Sequence, residues 1–354
     1  GPFSKGAPVY ASWGDLVHER AHDAGAVLDA SGSSVVLDQP APENGRPSNA
    51  LTVASNGGSI VLGSANSMFL DGTLKAQAGG KGAAGGTLAL TYNGGIYNRS
   101  QASAEVLTPR MLVLTQDKDG DSLADGTRPG DALAYGKAML AVEQIQAGGF
   151  DNLSIYAAMR TPGDLSLRMG QSLRLWGPLG VLPDAEPGRT VQLSAPHLTL
   201  GMTQYAANGS TEVAYAGSLP ALTGRSDSLR VDGAHIDVFG RNEFLGFNDV
   251  AISSRGDLRL LSTPSTVLSG RTTLFAPGRM TITAAQIYAA SGADGYLGVG
   301  DTNGGVQVAS TPDNTLTLRS WGGPTPAVPY SVGGRLHVNA GVIEQGGVLR
   351  APLG

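Results

Sequence analysis

A short acidic stretch has the residue types and spacing of a calcium-binding loop. Aspartates occupy the first, third, fifth and ninth positions of DKDGDSLAD, as Asp117, Asp119, Asp121 and Asp125. Calcium prefers hard oxygen ligands, and alternate positions of a tight loop can surround one ion while the backbone carbonyl of Leu123 adds a further contact. Carboxylates this close repel one another unless a cation neutralises them. We therefore expect these five residues to hold calcium as a cofactor.

The loop differs from an EF-hand at two positions. Ser122 and Arg128 stand where that motif has a glycine and a bidentate glutamate. The spacing is similar to that of the short calcium loops of thrombospondin type-3 repeats. The two replacements predict weaker binding than an EF-hand gives, and a solvated acidic loop without metal is the competing interpretation.

A second motif has the form of a zinc site. His18, Glu19 and His22 match H-E-x-x-H, in which two histidines on a helix bind zinc and the glutamate activates water. No third ligand is evident, because Leu28 stands where one subclass of these enzymes has its third histidine. The pattern disfavours zinc as a cofactor and favours an exposed amphipathic helix over about 13–23.

Two tryptophans are candidates for ligand binding. Trp176 and Trp321 end the similar runs LRLWG and LRSWG. Exposed indole rings stack on sugars, but the same rings can also close the corner of a turn. The histidines His197, His235 and His337 stand in alternating runs without clustered partners, which favours outward-facing strand positions over a ligand set.

The acidic residues do not form a recognisable catalytic set. β-Helical polysaccharide lyases and glycosidases line one face with carboxylates, Arg or Lys. Acidic residues are scattered along this chain at positions expected for turns, where their side chains satisfy local backbone groups; examples are Asp164, Asp184, Asp227, Asp237, Asp249 and Asp257. The sequence thus predicts a protein that is not an enzyme. A polysaccharide lyase or glycosidase is the first alternative and a zinc hydrolase the second.

Strands must position these residues, because alternation of apolar and polar residues dominates the chain and helical periodicity is scarce. Turn-forming Gly, Asn, Asp or Pro separate the alternating runs. We expect strands over 59–62, 87–90, 164–167, 172–175, 190–193, 197–200, 228–231, 257–260, 279–282 and 335–338.

Two distant segments reveal a repeat of about 20 residues. GSIVLGSANSMFLDGTLKA begins at Gly58, and GRLHVNAGVIEQGGVLRA begins at Gly334. Their glycines and alternating apolar residues align after a one-residue gap. A unit this small cannot bury its apolar face alone, so stacked copies must supply the core. This predicts an all-β fold, a right-handed parallel β-helix or β-solenoid, with a hairpin-built β-sandwich as the competing interpretation.

The repeat is interrupted, which suggests four regions. An N-terminal cap with a possible short helix covers 1–25, β-helix rungs cover 26–100 with a glycine-rich loop at 79–86, an insertion outside the helix covers 101–141 with the acidic loop 117–125, and rungs resume over 142–354. Residues 131–146 could begin as a helix capped by Asp131 and end as a strand over 142–145.

Composition excludes several classes of partner. Hydrophobic residues make up 41% and charged residues 15%, which is too apolar for a disordered chain. A formal net charge of −5 gives no general attraction to nucleic acid. No run approaches the roughly 20 apolar residues of a membrane span, so membrane insertion is not expected. The chain has no cysteine, which suits both a reducing compartment and export in an unfolded state.

The repeat phrases resemble filamentous haemagglutinin-type exoproteins of Gram-negative bacteria. The likeness rests on AVLDASG from Ala26, GSIVLGSANSMFLDGTLKAQAGG from Gly58, EQIQAGGF from Glu143 and the closing GVIEQGGVLRAPLG. It implies an internal segment of a large adhesin, exported by two-partner secretion through an outer-membrane transporter. It also implies a location outside the cell or on its surface. The implied role is adhesion, aggregation or biofilm formation, with carbohydrate or protein of a cell surface or matrix as the partner.

Overall fold

The structure is a computed structural model, and its fold is all-β with a single short helix among the residues described. It describes residues 9–10, 19–22, 25–38, 50–64, 67–92, 111–120, 137–202, 226–244, 246–263, 271–303 and 306–353.

Most strands are short, and the four strands of 11 to 16 residues lie between residues 190 and 289. The strands are β1 (Val9–Tyr10), β2 (Glu19–His22), β3 (Val27–Asp29), β4 (Ser34–Asp38), β5 (Ala50–Ala54), β6 (Ser59–Ser64), β7 (Ser67–Leu70), β8 (Thr73–Lys75), β9 (Gly86–Tyr92), β10 (Met111–Thr115), β11 (Lys137–Ala141), β12 (Phe150–Ala157), β13 (Met159–Thr161), β14 (Leu165–Arg168), β15 (Ser172–Trp176), β16 (Leu179–Val181), β17 (Thr190–Met202), β18 (Ser228–Glu243), β19 (Asp249–Leu261), β20 (Arg271–Ala276), β21 (Arg279–Ala289), β22 (Asp294–Val299), β23 (Asp301–Asn303), β24 (Val306–Ala309), β25 (Thr315–Arg319), β26 (Arg335–Asn339), β27 (Val342–Gly346) and β28 (Leu349–Arg350), and the helix is α1 (Val142–Ala147).

Parallel pairing dominates the sheets. The largest sheet has 16 strands, and its main path runs β1-β6-β9-β12-β15-β17-β18-β19-β21-β25-β27. A second sheet has six strands in the order β16-β13-β10-β11-β7-β2. Within the described residues, the only antiparallel pairs are β4 with β5 and β23 with β24. Parallel neighbours cannot be joined by tight hairpins, so this topology disfavours the hairpin-built sandwich.

The core follows from strand alternation held in register. Equivalent residues of β14, β17, β18, β19, β21 and β25 are Cα partners in one inward column: Leu165, Val191, Leu229, Val250, Met280 and Leu316. None of the six is more than 2% exposed. A second inward column contains Leu173, Leu198, Ile236, Leu258 and Ile287. Both columns belong to a single hydrophobic cluster along the stacked strands.

The long strands carry two such columns each and bend between them. The register of β18 with β19 shifts between Gly233 and Ile236, and that of β19 with β21 shifts between Ser254 and Asp257. The hydroxyl of Ser254 donates to the carbonyl of Asp257 at 2.8 Å within this bend. Such irregularities change the strand direction while the alternation resumes on the far side.

The strand predictions are confirmed. Each of the ten predicted runs overlaps an observed strand, and the paired segments beginning at Gly58 and Gly334 both form strands, β6 with β8 and β26 with β28. Residues 79–85 lie outside any strand, between β8 and β9, as the glycine-rich loop predicts.

The N-terminal helix prediction is wrong where the structure tests it. Residues Glu19–His22 form β2, which pairs in parallel with Ser67–Leu70 of β7. An unpaired edge of β7 would leave backbone donors and acceptors without partners, and β2 satisfies them. The rest of the expected helix lies outside the described residues.

The region from 137 to 147 also departs from expectation, because the predicted order of helix and strand is reversed. Lys137–Ala141 is strand β11 and Val142–Ala147 is helix α1. Val142 and Ile145 are buried in the core, and the Gln144 side chain accepts from the Ala141 N–H at 3.2 Å and donates to the Leu70 carbonyl at 2.6 Å. Asp131, the expected cap, lies outside the described residues.

The expected insertion over 101–141 contains two strands of the second sheet. Met111–Thr115 and Lys137–Ala141 pair with each other in parallel, and β11 lies between β7 and β10 although it follows β10 in the chain. Leu112, Leu114 and Leu140 are at most 1% exposed. The prediction of an excursion is wrong for these two strands, because their apolar residues add to the common core.

Truncating an inward residue tests this packing. Met280→Ala should lower the free energy of unfolding by about 2–5 kcal/mol, because a cavity remains in a close-packed column. Thr281→Ala is the matched control on the outward side of the same strand, and it should change stability by no more than about 0.5 kcal/mol. Urea unfolding followed by circular dichroism measures both. Equal losses for the two variants would contradict the assigned sides of β21.

A candidate ligand-binding face

The side of the large sheet that points away from the core carries two columns of chemically distinct residues. The charged column runs across six neighbouring strands as Arg174, Thr199, Asp237, Arg259, Tyr288 and Arg350. The aromatic column stands two residues further along the strands as Tyr156, Trp176, Gly201, Phe239 and Leu261. Both columns alternate with buried core residues, so they share one outer face.

The charged column contains a network centred on Asp237. The Arg259 guanidinium donates to both carboxylate oxygens, from Nε to Oδ1 at 2.6 Å and from Nη2 to Oδ2 at 2.8 Å. His197 Nε2 lies 3.0 Å from Oδ2 of the same carboxylate. The Asp237 side chain is 7% exposed, whereas those of Arg259 and His197 are 39% and 42% exposed. The face therefore presents a guanidinium and an imidazole above a buried carboxylate.

These contacts decide the charge of Asp237. Burial by itself would raise the pKa of the Asp237 carboxyl, but the hydrogen bonds and charges of Arg259 and His197 outweigh burial and hold the pKa below its usual value. Asp237 raises the pKa of Arg259 in return, chiefly through the hydrogen bonds. A bidentate arginine gives both energy and fixed geometry to such a pair. Asp237 is consequently an ionised anchor for Arg259 and His197.

The far end of the charged column contains Tyr288 and Arg350. Burial, followed by the negative charge of Asp257, raises the pKa of the Tyr288 hydroxyl, which stays protonated at neutral pH. Arg350 donates from Nε to Gln286 Oε1 at 2.9 Å and from Nη2 to the Pro326 carbonyl at 2.8 Å. Both acceptors are neutral, so these contacts do not offset the positive charge of Arg350.

Trp176 lies in the aromatic column, at the end of β15. A Cβ on Gly201, its Cα partner in the next strand, would stand 2.3 Å from the indole, so only glycine leaves room for the ring. The indole meets the Phe239 ring at 76°, with 5.7 Å between ring centroids. Trp176 is half-buried and fixed in place, which is the arrangement of an aromatic platform for stacking.

Trp321 has other surroundings. Its Nε1 donates to the Ser254 carbonyl at 2.6 Å, and the Arg255 guanidinium lies 4.2 Å from its ring centroid. These contacts attach the segment after β25 to β19. Trp321 remains 42% exposed, whereas Trp176 is half-buried.

Together with two residues beside it, the charged column provides the residue types of a nucleophilic triad. Ser172, His197 and Asp237 lie on three neighbouring strands. The Ser172 hydroxyl, however, donates to Asn152 Oδ1 at 2.6 Å, which directs its proton away from His197. A nucleophile needs its base within hydrogen-bond reach of that proton. The arrangement therefore lacks the serine–histidine hydrogen bond that acyl transfer requires.

The predicted metal residues are only partly within the described chain. Asp117 and Asp119 are described, and Gly120 beside them has a φ of 69° that tightens the turn. The Thr115 hydroxyl donates to the Asp117 carbonyl at 2.8 Å. Asp121, Leu123 and Asp125 lie outside the described residues. Across the described part of the chain, no group of three or more His, Cys, Asp or Glu side chains could hold a metal ion.

The H-E-x-x-H motif lacks its helix. Glu19 and His22 belong to strand β2, whereas the motif needs a helical turn to bring residues four apart onto one side. His18 lies outside the described residues. The structure thus provides no support for a zinc helix at this position.

A second polar cluster lies on β20, β22 and β26. The rings of Tyr296 and His337 stack at 4.3 Å and 9°, and Arg271 lies 4.8 Å from the Tyr296 centroid. His337 Nε2 lies 3.0 Å from Asp294 Oδ1. His197 and His337 therefore each have a carboxylate partner, which the sequence interpretation of unpartnered histidines missed. Asp237 likewise lies within a strand and not in a turn.

Comparison with protein-family models, with curated proteins and with solved structures finds no match to this chain. Within the part of the chain that the structure describes, no helix has the length and apolar character of a membrane span.

Replacing Asp237 by Asn tests the network through pH. Because its pKa is depressed in the folded state, ionised Asp237 adds stability that is complete at neutral pH and is lost as pH falls below about 4, where the unfolded carboxyl is already protonated. Asp237→Asn should cost about 1–3 kcal/mol at pH 7, a range that allows for solvent screening at the exposed Arg259.

The difference between wild type and Asp237→Asn should shrink as the pH of urea unfolding is lowered from 7 towards 2. Asp232→Asn, on the same strand with an exposed side chain, is the matched control and should have little effect at any pH. A pH-independent loss in Asp237→Asn would argue against an ionised Asp237.

Proposed function

We propose that this chain is an adhesive rod segment of a filamentous haemagglutinin-type adhesin, wound as a right-handed parallel β-helix. In this proposal the full-length protein leaves the cell by two-partner secretion through an outer-membrane transporter and acts at the bacterial surface. Its role is attachment, aggregation or biofilm formation, and its partner is a carbohydrate or protein of a cell surface or matrix.

The observation that carries the proposal is the outer face of Arg174, Trp176, His197 and Arg259 on stacked parallel strands. Parallel in-register strands with a continuous core provide a rigid support, and a rigid support lets exposed side chains bind with little loss of entropy. Trp and Arg are the residue types that dominate binding energy in recognition surfaces. The repeat phrases that resemble the adhesin family agree with this interpretation.

A non-enzymatic role fits the chemistry of this face better than hydrolysis or lysis. The Asp237 carboxylate is engaged by both Arg259 and His197, and its depressed pKa makes it a weak base. Glycoside hydrolysis requires a second carboxyl group with a raised pKa as the acid. A polysaccharide enzyme is the alternative function, and the shortening of a polysaccharide by the purified protein would favour it.

We further propose that calcium stabilises the loop from Asp117 to Asp125. This proposal is supported by the φ of 69° at Gly120, a turn conformation directly after Asp119, which is compatible with oxygen ligands at alternate positions. Zinc plays no part in this proposal.

Calcium added to chelator-treated protein should release or absorb heat in calorimetry and raise the melting temperature, because the ion binds the folded state. Asp119→Asn combined with Asp121→Asn should remove both effects. Asp313→Asn, an exposed aspartate elsewhere, is the control, and magnesium is the control ion. Absence of heat and of stabilisation in the wild type would contradict the calcium site.

Adhesion is tested with the purified chain on a surface. We expect it to retain bacterial or host cells under flow, and we expect the double variant Arg174→Ala, Trp176→Ala to lose most of that retention. The control pair Arg168→Ala, Tyr330→Ala also removes one exposed arginine and one exposed aromatic ring, but neither belongs to the charged or the aromatic column. Circular dichroism verifies the fold of both variants. Failure of the wild type to retain any cell, or equal loss in both pairs, would count against the proposal.

A further inference from the structure

We infer that the outer face binds a linear acidic polysaccharide, extended across the strands with about one sugar residue for each strand. This inference rests on the proposed adhesive function and names the ligand class and the binding mode.

The first basis of the inference is the spacing of the strands. Neighbouring strands lie about 4.8 Å apart, so the charged column spans about 24 Å from Arg174 to Arg350. Its three arginines are the accessible members, while Thr199, Asp237 and Tyr288 are buried between them. An extended pyranose chain has a residue length close to one strand interval.

The second basis is the pairing of the charged and aromatic columns. They stand two residues apart along each strand, or about 7 Å. A pyranose has a flat C–H side and a rim of hydroxyl groups. The half-buried Trp176 ring, fixed by Gly201 and Phe239, offers a platform for the C–H side. Arg174 on the same strand offers hydrogen-bond donors to the rim.

The third basis is charge. Among the described residues, the exposed Arg174 side chain has no ion pair, and the acceptors that hold Arg350, Gln286 Oε1 and the Pro326 carbonyl, are neutral. Asp237 beneath Arg259 is buried, so the exposed groups of this network are the guanidinium and the imidazole. The protein as a whole has a net charge of −5, so this cationic character is local. Arginine forks match carboxylate geometry, which favours uronate units over neutral sugars.

The contact with Asp237 also fixes the position of the Arg259 hydrogen-bond donors before a ligand binds. The bidentate contact leaves Arg259 with donors that do not face Asp237, and it holds the plane of the guanidinium on the face. A donor that is already positioned loses less entropy when the ligand binds. The carboxylate is thus a positioning residue for the saccharide site and needs no contact with the saccharide.

A length series tests the binding mode. Oligogalacturonates of two to eight residues, and neutral cello-oligosaccharides of the same lengths, would be titrated into the full chain by calorimetry. We expect the affinity for oligogalacturonate to rise with each residue and to level off at about six, one for each strand of the charged column. The neutral series should bind at least about tenfold more weakly.

Variants connect the binding to the face. Arg174→Ala, Arg350→Ala and Trp176→Ala should each weaken hexamer binding by about tenfold and weaken dimer binding less. Arg174→Lys should recover only part of the affinity, because an ammonium group lacks the planar fork. The control pair Arg168→Ala, Tyr330→Ala should bind as the wild type does.

The outcomes separate this inference from the proposed function. Equal affinity for dimer and octamer, or equal affinity for both series, would overturn the extended acidic ligand. If the protein retains cells but binds none of the oligosaccharides, the inference fails while the adhesive function stands. If the protein binds the series as expected and retains no cells, the adhesive function fails while the saccharide site stands. If products shorter than the added oligosaccharide appear, the protein is a polysaccharide-cleaving enzyme and the adhesive function is contradicted.

Discussion

Backbone hydrogen bonding between parallel strands in register is the constraint on which the rest of this structure depends. It places equivalent residues of successive strands directly above one another at about 4.8 Å. The environment of each residue is therefore set by the residues one strand before and one strand after it. Aliphatic columns such as Leu198, Ile236 and Leu258 become a continuous core, and the intervening residues become continuous columns on the outer side.

Stacking in register creates a difficulty for charged residues, because like charges in one column would repel at close range. In the two columns described next, an acidic residue on one strand has basic or neutral residues as its neighbours on the adjacent strands. Asp237 lies between Thr199 and Arg259, and Asp294 lies between Arg271 and Arg335. Bulky rings are accommodated in the same manner, since Gly201 follows Trp176 and Gly298 follows Phe275. The residue pattern of the outer face is a consequence of this alternation.

The sequence predicts the strands well because alternation is a local signal. The runs that contain Leu173 and Leu198 show it directly, and both residues are buried where expected. The network around Asp237 was missed because Asp237 is 22 residues from Arg259 and 40 from His197, and only the register brings them together. The prediction for residues 142–147 failed because the local sequence does not distinguish helix from strand. Their short sequence VEQIQA suits either structure locally, and its burial beside the neighbouring strands decides the outcome.

The central claim is that parallel strands stack in chain order through the second half of the protein, and pairs of spin labels test it most directly. The chain has no cysteine, so labels can be attached at chosen sites without competing thiols. Cysteines would replace Ser166 together with Thr281, Thr317 or Glu344, which follow it in one outward column. The account predicts electron–electron distances that increase steadily, at about 19, 24 and 29 Å. Distances that fail to increase along this series would contradict it.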